Sequence, residues 1–388
     1  MFPGITLLVG VFLTWTGQQA LRESNLDMAR TRLNGRSRLV TTYLTDTLQT
    51  AEPILDDLTE KVETWAPDTP LPTVAEQTRQ LLRGTQGVCF VSVSFEDGSF
   101  RGSFTQPDGT LHFLSTRVTP EGTRVDQFDF AVDGSLVAKS STKGTFDPRQ
   151  RPYYDSAVQA DGRVWTEPYP FHPTERMGVA RAQAVFRPNV EPKQLQAVVT
   201  VGFDVASLSR LLDHSTLPQQ RPLLYTGSGQ ILAFSGGAAS SKPLLEGSGS
   251  IGIADLSDDV ATGYFKELEL AEHDTSELPN TSTRWLDFSL NGSAYLAAEQ
   301  RVGTDPEFDW HLAQVVPESV FLTSLESYSR QGYWVSGGAV FLALLGSFGF
   351  AQLVVRMRNA TVRAQDRARE AVRRAQELGS YQLLERLG

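Results

Sequence analysis

A single cysteine, Cys89, stands among 388 residues, so no internal disulfide can form and no thiolate metal site can be built. It sits in the apolar run Gly87-Val-Cys-Phe-Val-Ser-Val93, where a buried strand position suits it better than a reactive one. Histidine is scarce too: His112, His172, His214, His273 and His311 are scattered, with no His-Glu-x-x-His pair and no metal-ligand spacing. A Gly-x-Ser-x-Gly elbow is missing as well. Thr226-Gly-Ser-Gly229 has no lysine after it and reads as a hairpin turn, not a phosphate loop. No catalytic residue and no metal ligand is assigned, and the chain is not read as an enzyme.

Charge is absent from Gly332 to Val355 (GYWVSGGAVFLALLGSFGFAQLVV). As a helix these residues reach about 36 Å, against a hydrocarbon core of about 30 Å, so 332–355 is read as a transmembrane helix. The net charge of −10 divides there: from Arg356 onward lie eight arginines and four acids, and the rest holds 27 basic and 41 acidic side chains. Arg356, Arg358, Arg363 and Arg367 follow the span closely, so the positive-inside rule places the tail in the cytoplasm. The acidic bulk then lies outside the inner membrane, in the periplasm or extracellular space. An acidic exterior repels phosphate backbones, which excludes nucleic acid as a partner and leaves membrane lipid as one. At 388 residues, 40% hydrophobic and 21% charged, the chain suffices for two globular domains and is not a disordered polymer.

Positive charge is also missing ahead of the first apolar stretch, Phe2 to Trp15, since the first charge is Arg22. That stretch would be about 21 Å long as a helix, short for a full span. With no basic leader and no small-residue cleavage site, 1–16 is read as an uncleaved first anchor, truncated at its start; a cleaved signal sequence is the alternative.

Leu26, Ala29, Leu33, Val40, Leu44, Leu48, Ala51, Leu55, Leu58, Val62 and Trp65 then recur at three- and four-residue steps, broken once near Ser37, which predicts one long amphipathic stalk helix. Pro53 should kink it, the proline-rich Trp65 to Thr73 should be a loop, and Val74 to Arg83 a second helix. Beyond Gly87, alternating runs split by Asp-Gly and Gly-Ser pairs predict antiparallel hairpins over Val88–Phe95, Ser103–Phe104, Leu111–Val118, Asp126–Val132 and Leu136–Ser141. After a helical piece at Val205–Leu212, a second strand set follows at Pro222–Phe234, Trp285–Leu290, Ala294–Val302 and Trp310–Val316. Pro317-Glu318 opens a helix into the span. The fold class is α+β: a long N-terminal stalk helix carrying two PAS-like antiparallel-sheet lobes, a distal one at about 66–210 and a proximal one at about 211–316, plus transmembrane helices.

One segment carries most of the chemistry. Phe146-Asp-Pro-Arg-Gln-Arg-Pro-Tyr-Tyr-Asp-Ser-Ala-Val158 pairs Asp147 with Pro148 as a cap and first helical residue, and Pro152 repeats the start signal. Arg149 and Arg151 project beside Tyr153 and Tyr154, with Trp165 and Tyr169 on the next strand. A planar guanidinium beside aromatic walls suits a small carboxylate. The same aromatics are also ordinary core residues, and Asp147 is also a plain helix cap.

That segment, with Gly162-Arg-Val-Trp-Thr-Glu-Pro-Tyr169 and the strand end Val201-Gly-Phe-Asp-Val205, resembles the signature of double Cache domains, extracytoplasmic sensor modules of bacterial transmembrane receptors. The resemblance covers 17–331. It implies a small-molecule ligand such as an amino acid or carboxylate in the distal lobe, held by its carboxylate at Arg151 and Tyr153, with Tyr169 and Asp204 at matching positions and acidic groups receiving an ammonium. Phe146 and Phe171 depart from the amino-acid-binding subset, which has tyrosine and aspartate there. Losing one of two carboxylates weakens the ammonium site, which leaves carboxylate and amino-acid-like ligands both open.

In the tail, Met357, Thr361, Ala364, Ala368, Ala371, Ala375 and Leu378 repeat with 4-3 spacing, so 356–378 is read as a signalling helix or weak coiled coil. A basic linker touching lipid headgroups is the alternative. Gly379-Ser-Tyr-Gln-Leu-Leu-Glu-Arg-Leu-Gly388 resembles the start of a serine/threonine protein kinase, whose first strand runs into a glycine-rich loop and whose ATP and Mg would belong to a kinase domain following Gly388. A homodimer, parallel through stalk and tail, is expected. The rival reading of the outer part is a structural or partner-binding periplasmic module, and a chemotaxis or cyclase output is the rival for the tail.

Overall fold

The computed structural model describes residues 2–106, 108–188, 190–213, 219–235, 252, 255–272, 283–303 and 309–385, with part of the two terminal helices described by backbone alone. His214 and His273 lie outside the described residues. The chain divides into two compact units, Met1–Ala29 with Phe321–Gly388, and Arg30–Val320.

The first unit is helical, formed by the start of α1 (Phe2–Gln49) and most of the last helix, Glu318–Glu385. Within the latter, Phe341, Leu342, Leu345, Phe348, Phe350 and Leu353 are exposed. Among the described residues one stretch, Phe341–Ala375, is long and apolar enough to cross a membrane. Phe2 to Trp15 are helical as well. The last helix runs on through Gly379 to Glu385, where the kinase resemblance implies a strand; 386–388 lie outside the described residues. Extending an existing helix is cheap, and a strand there finds no ladder partner among the described residues.

In the second unit α1 breaks at Thr50 and resumes as α2 (Ala51–Val62). The interruption precedes Pro53 by three residues because a proline ring clashes with the carbonyl four positions back, here that of Gln49. Leu33, Ser37, Val40, Leu44, Leu48, Leu55, Leu58 and Val62 are all buried, so the stripe runs straight through Ser37 without a break in the helix. Ser37 simply places a small polar group in the seam, its hydroxyl without a partner among the described residues. α3 (Leu71–Arg83) starts three residues earlier than the sequence predicts, since Pro72 falls in the first turn, where a missing N–H costs nothing.

A nine-stranded antiparallel sheet comes next, built from β1 (Phe90–Phe95), β2 (Phe100–Thr105), β3 (Leu111–Thr119), β4 (Gly122–Phe130), β5 (Leu136–Gly144), β6 (Arg163–Trp165), β7 (Tyr169–Phe171), β8 (Arg176–Phe186) and β9 (Leu195–Asp204). Its order is β5-β4-β3-β2-β1-β9-β8-β6, with β7 also on β8. The period of two divides β9 cleanly: Val199, Val201 and Phe203 join the core against α1 and α2, whereas Val198 joins an aromatic core on the other face. There α4 (Pro152–Ala160) seats Tyr153, Tyr154 and Ala157 on β8, whose Ala180, Ala182 and Ala184 are small enough to admit them.

After α5 (Val205–Asp213) a second antiparallel sheet runs β11-β10-β14-β13-β12, from β10 (Arg221–Thr226), β11 (Ile231–Phe234), β12 (Arg284–Leu290), β13 (Ser293–Val302) and β14 (Trp310–Pro317), with α6 (Asp259–Glu272) packed on one face. Leu224, Leu232, Val302, Trp310 and Leu312 share the stalk core with the first sheet, so one helical spine serves both lobes. The last helix, α7, begins at Glu318 directly after β14.

Candidate functional site

Two successive helix starts aim the arginines in different directions. Asp147 caps a short turn at Pro148–Gln150, its Oδ1 accepting from the Arg149 amide at 3.0 Å. The Arg149 side chain folds back on the same carboxylate, Nη2 to Oδ2 at 2.8 Å, and lies partly exposed beside Gly98. That hydrogen bond holds Asp147 below the usual carboxylate range. Arg151 is the N-cap of α4 and points inward. Its guanidinium lies 5.9 Å from the ring centre of Phe146 and 5.6 Å from that of Tyr169, and Nη2 donates to the carbonyl of Pro170. Among the described residues no carboxylate pairs with it.

Arg151, Tyr153 and Tyr169 line one small cavity of about 20 Å³ between α4, β7 and the sheet, with Phe146, Phe171 and His172. This is room for a single water. The floor is polar on β1 and β9, where Ser92 and Thr200 hydroxyls bond to each other. Tyr153 OH is held by Ser94 Oγ at 2.8 Å, and burial raises both the Tyr153 and the Tyr169 hydroxyl pKa.

Phe171 stands where the resemblance to amino-acid-binding sensors implies an aspartate, and the backbone around it is shaped for its ring. A Cβ on Gly178 would come within 2.7 Å of the ring, and one on Gly202 within 2.8 Å. Both glycines therefore form a slot, and the ring meets Phe90 and Tyr169 edge-on at 6.0 and 5.0 Å.

Four of the residues expected at the site lie elsewhere. Trp165 sits on the opposite face of the sheet, because alternation on β6 sends Val164 toward the aromatic core and Trp165 toward the stalk. It packs on Phe203 at 5.9 Å and on Trp310 of the second sheet at 5.7 Å, with Arg181 stacked on it at 5.6 Å, so it joins the lobes. Asp204, one step beyond the Phe171 slot, is bound to Arg176 at 2.7 Å and caps α5 through the Ser207 amide at 2.6 Å. It lines a separate cavity of about 210 Å³ beside Cys89. Arg149 is committed to Asp147, and Tyr154, its hydroxyl pKa pushed up to about 12 by burial, packs in the aromatic core without lining the cavity.

In the sequence His172 is only one scattered histidine. In the structure its ring stacks on Phe146 at 4.4 Å and lines the cavity. Burial lowers its pKa from the ordinary histidine value, opposed by Glu175, whose Oε1 lies 3.7 Å from Nδ1. Its position directly after Phe171 is the one local signal, since its partner Phe146 is remote in sequence. The cavity wall carries two groups able to bear positive charge, Arg151 and His172, and no acid. Among the described residues no cluster could hold a metal ion.

No protein-family model matches the sequence, and no curated protein matches it. Solved structures do show similarity. One is the ligand-binding domain of the Pseudomonas aeruginosa amino acid chemoreceptor PctB in complex with L-Arg, at 18% identity and a TM-score of 0.48, covering 80% of this chain and 98% of that one. Another is that of the P. aeruginosa chemoreceptor PctC in complex with GABA, at 16% identity, a TM-score of 0.46, and 74% and 99% coverage. A third is the sensory domain of the Campylobacter jejuni chemoreceptor Tlp3, at 11% identity, a TM-score of 0.45, and 76% and 98% coverage.

Proposed function

We propose that this chain is the sensing part of a transmembrane receptor, and that its distal lobe binds a small carboxylate lacking an ammonium group at Arg151. The observation that carries this reading is the state of Arg151: an inward-pointing guanidinium between two aromatic faces, with no carboxylate partner among the described residues. A charge taken from water without a counter-charge is costly, and an incoming carboxylate supplies one through paired N–H donors. Aromatic walls accept an apolar tail. An ammonium would meet Phe171 where it needs an acid, and Asp204 is already engaged by Arg176.

At about 20 Å³ the cavity must open to admit a ligand, and the β7–β8 turn that carries His172 and Glu175 is the segment to move. The small volume also favours a second reading, in which the aromatic cluster is a filled core and the lobe is a structural or partner-binding module. A thermal-shift screen of the full chain in detergent separates the two. Acetate, propionate and benzoate should raise the melting temperature of the native chain and not of Arg151→Ala; no shift with any of them leaves the filled-core reading standing.

Signal output rests on the same spine. Glu52 of α2 bridges Arg181 at 2.9 Å and Arg163 of the first sheet, so a shift in β6–β8 pulls on the stalk. We assign α7 to the inner membrane with its arginines cytoplasmic, a first anchor to 1–16, a parallel homodimer to the stalk and tail, and a serine/threonine kinase to the output. The Gly379–Gly388 resemblance supports the last of these, and reading the coding sequence downstream of Gly388 tests it. Catalysis, ATP and Mg then belong to that output and not to residues 1–388.

A further inference from the structure

The cavity holds one group that a carboxylate site at Arg151 alone does not need. His172 Nε2 is buried and has no hydrogen-bond partner among the described residues. Its other nitrogen lies 3.7 Å from Glu175 Oε1, so a proton on Nδ1 faces that carboxylate and the buried Nε2 keeps its lone pair. The ring is held by its stack on Phe146, a ring that also meets Phe100 edge-on and the Arg151 guanidinium, so both cation-forming groups lie against one aromatic wall.

A buried imidazole nitrogen without a partner gains nothing in the empty protein. A carboxylate changes this, because a proton taken from solvent onto Nε2 turns a lone pair that would repel the anion into a donor to it. We propose that His172 is a second ligand-holding residue of this cavity, and that a carboxylate binds there together with one proton, which settles on Nε2. The inference rests on the carboxylate reading of Arg151 and adds its regulation by pH.

The charged and titratable groups facing His172 are Arg151 from the α4 start and Glu175 from its own turn. In the empty cavity burial and Arg151 favour the neutral ring, and Glu175 acts against them. In the filled cavity the ligand's negative charge offsets Arg151, so the protonated ring is favoured. One proton is therefore taken up on binding at pH values between the two states' pKa values, and affinity rises as pH falls toward 5. Across that interval Kd increases by up to about tenfold per pH unit upward.

Isothermal calorimetry on the full chain in detergent at pH 6, in buffers of different ionisation enthalpy, reads the proton directly. Acetate, propionate and benzoate are the probes. The expected result is a heat that varies with the buffer by up to one proton per ligand bound, and a Kd that falls from pH 7.5 to pH 5.5. His172→Asn is expected to abolish both dependences while keeping measurable binding through Arg151. Binding with buffer-independent heat and a flat pH profile in the native chain overturns this inference and leaves the carboxylate reading intact. No binding of any probe at any pH overturns both.

Discussion

Phe171 should be both a stability determinant and the plug of the cavity, and replacing it separates these roles. Its ring occupies the slot between Gly178 and Gly202 and touches Phe90 and Tyr169, and its residue is buried. Phe171→Ala should cost about 3–5 kcal/mol through lost burial and the hole left behind. At an unfolding entropy of about 2.1 cal/mol/K per residue, a unit the size of Arg30–Val320 then melts about 5–8 °C lower. The hole merges with the existing 20 Å³, so benzoate should bind the variant more tightly than the native chain and recover part of the lost melting temperature. Gly202→Ala gives the complementary measurement. Its new Cβ would stand 2.8 Å from the Phe171 ring and 3.0 Å from Phe90 Cβ, so it should cost about 1–3 kcal/mol alone. In the Phe171→Ala background the part of that cost due to the Phe171 ring should vanish while the Phe90 Cβ contact remains, a coupling of about 0.5–3 kcal/mol in a double-mutant cycle. Chemical denaturation of the four proteins gives the cycle. Strictly additive losses would refute the slot, and a Phe171→Ala loss below about 1 kcal/mol would refute the packed plug.

Two further outcomes test other parts of the structure. Arg101 is buried and donates to the carbonyls of Thr69 and Pro67, pinning the loop before α3, with burial lowering its pKa; Arg101→Ala should destabilise by about 3 kcal/mol and expose that loop to limited proteolysis, and an unchanged cleavage pattern would contradict the anchor. In the second lobe His311 bonds Glu299 at 2.8 Å and Asp309 at 3.0 Å, and although burial disfavours its charge, these carboxylates raise its pKa above the usual histidine value. Its contribution to stability is then full below the unfolded pKa of about 6.5 and lost as pH rises through the raised folded value, so the native chain should lose more stability than His311→Asn between pH 6 and pH 9; equal losses in denaturant titrations would remove the ion pair from the account.

Much of this architecture is legible in the sequence because it rests on periodicity. The three- and four-residue steps from Leu33 to Val62 mark the buried face of the stalk, and the Asp-Gly and Gly-Ser turns mark the hairpins. Strand alternation also contains the answer for Trp165, but only with the sheet's two faces known, since nothing local says which face meets the stalk. The placement of Asp204 depends on β8–β9 register, which sets it opposite Gly178 and within reach of Arg176. Neither partner is near it in sequence. Phe171 is visible as a departure from the expected aspartate, whereas the glycine slot that makes it a plug needs three strands in place. Pro53 does disrupt the stalk, and its effect falls earlier because the clash is with the preceding turn. His172 is illegible for the same reason as Asp204: its meaning comes from Phe146 and Arg151 across the cavity.

A cavity that selects carboxylates lacking an ammonium should separate ligands that differ in that group alone. Propionate against alanine, and 3-phenylpropionate against phenylalanine, would be titrated into the full chain in detergent by calorimetry at pH 6. Leaving an ammonium without an acid partner costs about 1–3 kcal/mol or more. Each amino acid should therefore bind at least about 5-fold more weakly than its counterpart, and Arg151→Ala should bind neither member of a pair. Equal or tighter binding of the amino acids, or carboxylate binding that survives Arg151→Ala, would contradict the account.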